Sequence, residues 1–346
     1  MTNLPELLGT ELPLIQAPMA GVQGSALAMA VSNAGGLGSL PCAMLTITAM
    51  RAELTLIRAQ TTAPFNVNFF CNTPPQPSDE SEARWRAALA PFHAEYGIDP
   101  ASIAAGPGRA PFSHEAADAL AEFRPPVVSF HFGLPAPDLL ARVRGWGAKV
   151  LASATTVEEA RWLAAHGVDA VIAQGLEAGG HRGHFLTEDL TLQLGLFSLL
   201  PQVLRAVDVP VIAAGGIADA RGVAAAMALG AAGVQVGTAY LLCPEATTSA
   251  VHRAALKSEA ARHTALTNLF TGRPARGIVN RLMRELGPIS AAAPEFPLAT
   301  AAIAPLRAAT EARGLGDFSP LWSGQNASGC KAIPAAQLTR ELCDAG

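Results

Sequence analysis

The stretch VIAAGGIAD, residues 211–219, decides the fold. A short apolar run ends there in two glycines, and a helical pattern begins near Ala218. The same order recurs along the chain and is typical of βαβ units with a parallel sheet. Candidate strands lie at residues 14–17, 36–40, 65–70, 127–130, 149–152, 170–173, 211–214 and 234–236, and helical patterns at 25–34, 46–60, 114–124, 136–146, 156–166, 191–206 and 218–229. Eight strands suffice for a closed parallel barrel, so the sequence predicts an α/β fold, a (β/α)8 TIM barrel.

Two regions depart from this repeat. Residues 73–112 contain a charged helical pattern at about 79–96, and we interpret them as a long excursion after the third strand. Residues 245–311 hold several helical segments and the loop TGRPARG, residues 271–277. We therefore predict that residues 1–244 and 312–346 form the barrel and that 245–311 form an inserted helical subdomain covering the active-site face. The final helical pattern, near 335–343, is expected to close the barrel.

Composition excludes several classes of partner. Of the 346 residues, 50% are hydrophobic and 15% are charged, which is enough apolar material for a large core. The net charge is −4 and no basic stripe is visible, so nucleic acid is not expected as a partner. No apolar run reaches the roughly 18 residues that a membrane span needs. Five cysteines without CxxC spacing indicate a reducing compartment and no metal site, so we predict a cytoplasmic protein, a monomer or a homodimer.

Glycines follow the last two strands. Gly215 and Gly216 end the seventh strand, and Gln235, Val236, Gly237 and Thr238 end the eighth. Glycine lets backbone N–H groups approach a phosphate, and the loops after strands 7 and 8 hold phosphate in many barrels. The alternative is that these are ordinary turn glycines. The pair of signals favours a phosphorylated ligand.

A histidine stands among glycines after the sixth strand, in QGLEAGGHRG, residues 174–183. His181 therefore lies on a tightly turned backbone, and its imidazole is suited to hold or take a proton near neutral pH. Its alternative role is to cap a turn.

Other candidates leave two interpretations open. Alternation along NVNFF points Asn66, Asn68 and Phe70 to one side of the third strand, where an amide either binds a ligand or is satisfied within the protein. His131 faces either the pocket or the outer helices. Arg273 and Arg276 either attract an anionic substrate or are solvated, and solvation is the favoured interpretation.

In order along the chain, the segments IQAPMAG (15–21), NVNFF (66–70), QGLEAGGHRG (174–183), VIAAGGIAD (211–219), QVGT (235–238) and FSPLWSGQ (318–325) resemble the nitronate monooxygenase family. The resemblance covers most of the chain and implies a barrel with non-covalent FMN. It implies that His181 is catalytic and that the cofactor contacts lie at Ala17, Met19, Asn68, Gln174, Gly179, Gly180, Gly215, Gly216, Gln235, Val236, Gly237 and Thr238. His131 and Gln325 are candidate substrate contacts.

One departure from the family is visible. Some relatives place a lysine just after the fifth strand, where this chain has Leu151-Ala152-Ser153-Ala154. The positive charge beside a reduced flavin is then expected from His181 or from backbone N–H groups.

The resemblance implies oxidation of alkyl nitronates, with propionate 3-nitronate as the candidate substrate. One electron would pass from the nitronate to FMN and on to O2, giving a carbonyl compound and nitrite and so detoxifying the nitronate. Two alternatives remain open: an NAD(P)H-dependent flavin reductase of enoyl-ACP or quinone substrates, and a barrel that binds a phosphorylated metabolite without redox chemistry.

Overall fold

The computed structural model describes residues 3–103 and 108–344. Its strands are β1 Leu14–Gln16, β2 Gly38–Pro41, β3 Phe65–Phe70, β4 Val127–His131, β5 Lys149–Ala154, β6 Ala170–Gln174, β7 Gly180–His181, β8 Val211–Ala214, β9 Gly233–Val236, β10 Thr264–Thr267 and β11 Ala275–Ile278. Its α-helices are α1 Leu4–Leu8, α2 Ser25–Ser32, α3 Ile47–Gln60, α4 Asp79–Glu95, α5 His114–Phe123, α6 Pro137–Gly145, α7 Val157–Ala165, α8 Leu196–Ala206, α9 Ala220–Ala228, α10 Ala250–Leu256, α11 Arg281–Leu286, α12 Thr300–Glu311 and α13 Ala335–Cys343.

Eight parallel strands form the barrel in the order β1-β9-β8-β6-β5-β4-β3-β2. A parallel bridge between Ile15 and Leu37 joins its first and last strands, so the sheet closes on itself. The predicted (β/α)8 barrel is confirmed. Most barrel strands are buried along their whole length, which is why several of them are continuous apolar runs in the sequence.

Helices cover both the rim and the bottom of the barrel. Helix α1 lies at the N-terminal end of the strands, where Leu4 and Leu8 pack with Ile15 and Leu37 in one buried cluster. Helix α13 packs between α2 and α9, and Thr339 in it is hydrogen bonded to the buried hydroxyl of Tyr240 at 2.8 Å. The expected closing helix is therefore present in its expected position.

A second apolar cluster lies outside the barrel. Trp85, Leu89 and Phe92 of α4 pack in it against residues of the 245–311 segment and against Phe318. The Trp85 indole donates to the carbonyl of Ala299 at 3.1 Å. The excursion after β3 and the later segment thus share one core, which their separation in sequence did not suggest.

The sequence analysis expected segment 245–311 to be helical, but the segment also contains strands. It contains β10 and β11, which pair antiparallel with each other, and β11 also pairs with β7. In this register Ala275 lies opposite His181 and Arg276 opposite Gly180. The inserted segment is therefore hydrogen bonded to the loop that carries the candidate catalytic histidine.

No helix within residues 3–103 and 108–344 is both long enough and apolar enough to cross a membrane.

Candidate active site

A cavity opens at the C-terminal ends of the barrel strands, with about 1350 Å³ of empty space including its solvent-filled mouth. All twelve residues that the sequence analysis assigned to the cofactor line it: Ala17, Met19, Asn68, Gln174, Gly179, Gly180, Gly215, Gly216, Gln235, Val236, Gly237 and Thr238. His131 and His181 line it too. Gln325 does not, because its side chain is exposed and only its backbone N–H is engaged, donating to the carbonyl of Glu177 at 2.9 Å.

One end of the cavity is a cradle of backbone. Gly215 and Gly216 have φ angles of 118° and 71°, which a residue with a side chain rarely adopts. In the described chain, the backbone N–H groups of Gly216, Gly237 and Thr238 donate to no protein group. They are therefore free to bind an anion between the ends of β8 and β9.

The C-terminal tail closes this end, a role that the sequence analysis did not assign. The Asn326 side chain donates to the carbonyl of Gly216 at 3.2 Å, and the N–H of Gly324 donates to the hydroxyl of Thr238 at 2.9 Å. The signal in the sequence was position alone, because Gly324 lies within FSPLWSGQ and Asn326 follows it.

Two of the side-chain amides that line the cavity have an oxygen without a protein partner. Asn68 donates through Nδ2 to the backbone and hydroxyl oxygens of Ser129, and its Oδ1 has no protein partner. Gln235 Oε1 is buried without a hydrogen bond. A buried acceptor left unpaired costs about 1–3 kcal/mol, so a ligand that donates to it gains affinity.

Both polar atoms of the Gln174 side chain are hydrogen bonded within the protein. Its Nε2 donates to the carbonyl of His181 at 3.0 Å, and its Oε1 accepts from the N–H of Gly183 at 2.8 Å. Asn66 also donates within the protein, through Nδ2 to the hydroxyls of Ser39 and Ser129, but its Oδ1 is buried without a hydrogen bond. Asn66 does not line the cavity, so the structure does not place it against a ligand.

His181 lies at the other end of the cavity, in a box of aromatic rings. The rings of Phe132, Phe296 and Trp322 have centroids 6.1, 5.4 and 5.5 Å from its own. Its Nε2 is hydrogen bonded to the hydroxyl of Thr271 at 2.9 Å, whereas Nδ1 has no protein partner and is not enclosed. Burial, reinforced by the positive charge of Arg109, lowers its pKa well below the ordinary value, so the imidazole is uncharged near neutral pH.

His131 faces the cavity rather than the outer helices. Its Nδ1 is hydrogen bonded to the hydroxyl of Ser153 at 3.0 Å, and its Nε2 donates to the backbone carbonyl of His181 at 3.2 Å. Burial lowers its pKa to about 4. His131 therefore supports the backbone of His181 as a neutral donor.

A buried arginine stabilises the loop that carries His181. Arg182 has no exposed surface, and its guanidinium donates to the carbonyls of Gln174 and Gly175 at 2.8 and 2.6 Å and to Gln193 Oε1 at 2.5 Å. The loop also packs tightly, because a Cβ on Gly179 would lie 2.5 Å from the nitrogen of Gly324. The sequence analysis missed Arg182, since an arginine among glycines is ordinarily read as solvated.

The interpretation of Arg273 and Arg276 as solvated side chains is wrong. Arg276 is 5% exposed and donates to the carbonyl of Leu176 at 2.9 Å. Arg273 donates to the carbonyl of His184, and its guanidinium carbon lies 4.2 Å from the centroid of Phe132. Neither lines the cavity, so the structure does not place either one against a substrate.

Comparison with known proteins identifies the family. The family model for nitronate monooxygenase matches residues 1–345. The chain belongs to the nitronate monooxygenase family. It is 43% identical to nitronate monooxygenase of Pseudomonas aeruginosa, over 98% of this chain and 97% of that one, and 43% identical to that of Paraburkholderia phytofirmans, over 97% and 92%.

Solved structures agree with this assignment to the nitronate monooxygenase family. The nitroalkane oxidase of Streptomyces ansochromogenes superposes with a TM-score of 0.88 at 41% identity, covering 98% of this chain and 96% of that one. FabK of Thermotoga maritima superposes with a TM-score of 0.70 at 27% identity, covering 99% and 94%. The protein is therefore an oxidoreductase with a flavin-enzyme barrel.

The cavity fits the flavin that a nitronate monooxygenase uses. The cradle of free N–H groups suits a phosphate, the unused amide oxygens of Asn68 and Gln235 suit the hydroxyl and N–H donors of a flavin, and Gly180 leaves open space where a Cβ would stand. Burial keeps the His181 imidazole uncharged near neutral pH, which leaves the backbone N–H groups as the other expected source of positive charge. The cation lining the cavity at that end is Arg109.

Proposed function

We propose that the protein is an FMN-dependent enzyme that oxidises alkyl nitronates with O2 to a carbonyl compound and nitrite. One observation carries this proposal: a single cavity joins a phosphate cradle at β8 and β9 to an uncharged histidine inside an aromatic box. In that arrangement the phosphate of a nucleotide binds at one end of the cavity and the reaction takes place at the other. A flavin enzyme requires this separation.

The C-terminal tail lies across the phosphate end of the cradle, and this closure supports FMN rather than a dinucleotide. Gly216 and Thr238 are hydrogen bonded to Asn326 and Gly324 of the tail, which lies across the phosphate end. The cofactor would be held by Gly215, Gly216, Gly237 and Thr238 at its phosphate, with the other assigned cofactor residues along its length. When bound, FMN would supply the electron transfer between nitronate and O2.

His181 would act on the substrate at one nitrogen. The Thr271 hydroxyl donates to the carbonyl of Arg273, so it accepts from the N–H at Nε2 of His181 and leaves the lone pair on Nδ1. A preformed nitronate needs no proton removed, and here the imidazole orients it. With a neutral nitroalkane, Nδ1 takes the α-proton, and the resulting imidazolium is retained beside the new anion.

The surroundings of His181 would exclude water from the reacting carbon. Phe70, Phe132, Phe296 and Trp322 surround the imidazole, and Phe296 and Trp322 come from the later part of the chain. An apolar, low-dielectric wall strengthens the interaction between the imidazole and a negatively charged substrate. We propose propionate 3-nitronate as the physiological substrate and its detoxification as the role.

An aerobic assay tests the proposal. The yellow purified protein should release nitrite from propionate 3-nitronate and consume O2, and heat-released cofactor should have the mass of FMN. Protein that carries FMN but releases no nitrite from any alkyl nitronate would overturn the assignment.

The similarity to FabK keeps a reductase as the second candidate. Anaerobic mixing with NADH or NADPH distinguishes the two, because a reductase would bleach the flavin at rates that support turnover. We expect no such bleaching. A colourless protein that cannot be reconstituted with FMN would instead favour a non-redox barrel.

The cytoplasmic location, the monomeric or homodimeric state and the division into a barrel (1–244 and 312–346) and a covering subdomain (245–311) stay predictions. The separate apolar cluster outside the barrel supports the division. The participation of α4 in that cluster implies that the covering unit also includes part of the excursion after β3.

A further inference from the structure

Arg109 is a cation in the cavity wall, and no carboxylate in the part of the chain that the structure describes pairs with it. It forms no ion pair or hydrogen bond with any residue in 3–103 or 108–344. Its guanidinium carbon lies 5.4 Å from the centroid of the Phe296 ring, and burial lowers its pKa. A largely buried cation is costly unless an anion joins it, so its position suits an anionic ligand.

The surroundings of Arg109 belong to the histidine end of the cavity. The ring of Phe296, which Arg109 contacts, also lies 5.4 Å from the ring of His181. The cradle formed by Gly216, Gly237 and Thr238 is at the ends of β8 and β9, whereas Arg109 follows β3. An anion bound by Arg109 is therefore not the cofactor phosphate.

The two positions define the kind of molecule that would contact both. His181 and Arg109 line the same cavity and both lie beside the ring of Phe296, so a ligand whose reacting carbon faces His181 would meet Arg109 through a short carbon chain ending in a negative group. Guanidinium binds carboxylate through two parallel hydrogen bonds, and the bond is stronger in an apolar wall.

On the basis of the proposed function, we propose that Arg109 is the specificity-determining residue that selects nitronates carrying a carboxylate a few carbons from the nitronate group. It binds a part of the substrate that does not react. Its effect therefore falls on KM more than on kcat.

A matched pair of substrates tests this assignment in the holoenzyme. Propionate 3-nitronate carries the carboxylate, and the nitronate of 3-methyl-1-nitrobutane replaces it with an isopropyl group of similar shape. The readout is the ratio of kcat/KM for the first over the second. In Arg109→Met this ratio should fall about 10- to 100-fold, mainly through KM of the carboxylated substrate, because a charge-assisted hydrogen bond is lost.

Three further variants make the result specific. Arg109→Gln is a second neutral replacement and should give the same fall. Arg109→Lys keeps the charge and should retain most of the preference. Arg84→Met changes an exposed arginine of α4, paired only with Glu80, and should leave the ratio unchanged.

The outcomes separate the two proposals. If Arg109→Met and Arg109→Gln lower both kcat/KM values in parallel, Arg109 acts on the nitronate group or on His181 and the assignment is overturned. A wild-type enzyme that shows no preference for the carboxylated nitronate also overturns it, while the proposed function stands. Release of nitrite from neither compound overturns the proposed function, and this assignment with it.

Discussion

His181 is fixed through both its ring and its backbone. Thr271 holds Nε2, and Gln174 and His131 both donate to its carbonyl. None of these three contacts requires the ring to be charged. A neutral imidazole with one committed nitrogen is a general base whose free nitrogen has a defined direction.

Replacing His181 should affect two kinds of substrate unequally. In His181→Asn, turnover of neutral nitroalkanes should fall by a factor of about 10²–10⁴, the usual contribution of a general base, while turnover of preformed nitronates falls far less. Nitrite release from nitroethane and from ethylnitronate measures this. Equal losses on both substrates would exclude His181 as the base, and the exposed His114→Asn serves as the control.

Thr271 should matter through its hydroxyl. Thr271→Val keeps the shape but removes the partner of Nε2, so the ring orientation is less fixed and kcat on nitroethane should drop about tenfold, as expected for one lost hydrogen bond. Thr271→Ser should restore most of the activity. If the serine variant is as slow as the valine variant, the methyl group and not the hydroxyl is what His181 needs.

At the scale of elements, the barrel was predictable from the sequence, whereas the contacts between the barrel and the later segment 245–311 were not. Buried parallel strands are mostly apolar, and glycines mark the ends of β8 and β9, so both the strands and the cradle could be located. The contacts of Thr271 with His181, Arg109 with Phe296 and Trp85 with Ala299 join distant parts of the chain without any periodic signal. They depend on tertiary packing alone.

The burial of some charged residues could not be predicted from the sequence either. Sequence reasoning places arginines at the surface because desolvating them is costly, and this is correct for most of them. Arg182, Arg273 and Arg276 are exceptions because backbone carbonyls at the turned ends of strands accept their hydrogen bonds. Those carbonyls become available only when the barrel has formed.

The cradle at the end of β8 depends on a left-handed backbone. In Gly216→Ala the added Cβ destabilises that conformation by about 1 kcal/mol and turns the free N–H away from the phosphate site. We expect FMN to bind at least tenfold more weakly to the apoprotein, as measured by quenching of flavin fluorescence. Gly147→Ala has a similar φ angle of 87°, with open space around its Cβ and no contact with the cavity, and should bind FMN normally.

At the scale of the whole molecule, buried histidines should make stability depend on pH. Burial lowers the pKa of His131 to about 4, of His184 to about 3 and of His252 to about 4. In the unfolded chain these groups titrate at about 6.5. Below that pH the unfolded chain binds protons that the folded one does not, so stability is complete above pH 6.5 and declines as the pH falls.

The free energy of unfolding should therefore drop between pH 7 and pH 5, by about 1–2 kcal/mol for each such histidine. Urea unfolding at pH 7, 6 and 5 measures the drop. His252→Gln should remove the share of one histidine. An unfolding free energy that stays constant or rises over this interval would contradict the burial of these groups as neutral imidazoles.

The pairing of β7 with β11 makes the position of His181 depend on two parts of the chain. His181 is supplied by the barrel, but Ala275 of the inserted segment fixes its strand and Thr271 its ring. A chimaera that exchanges the insertion between relatives must reproduce this two-residue register before it can inherit a new substrate range. Changes along β11 are therefore the most restricted, because a shift of that strand also moves His181.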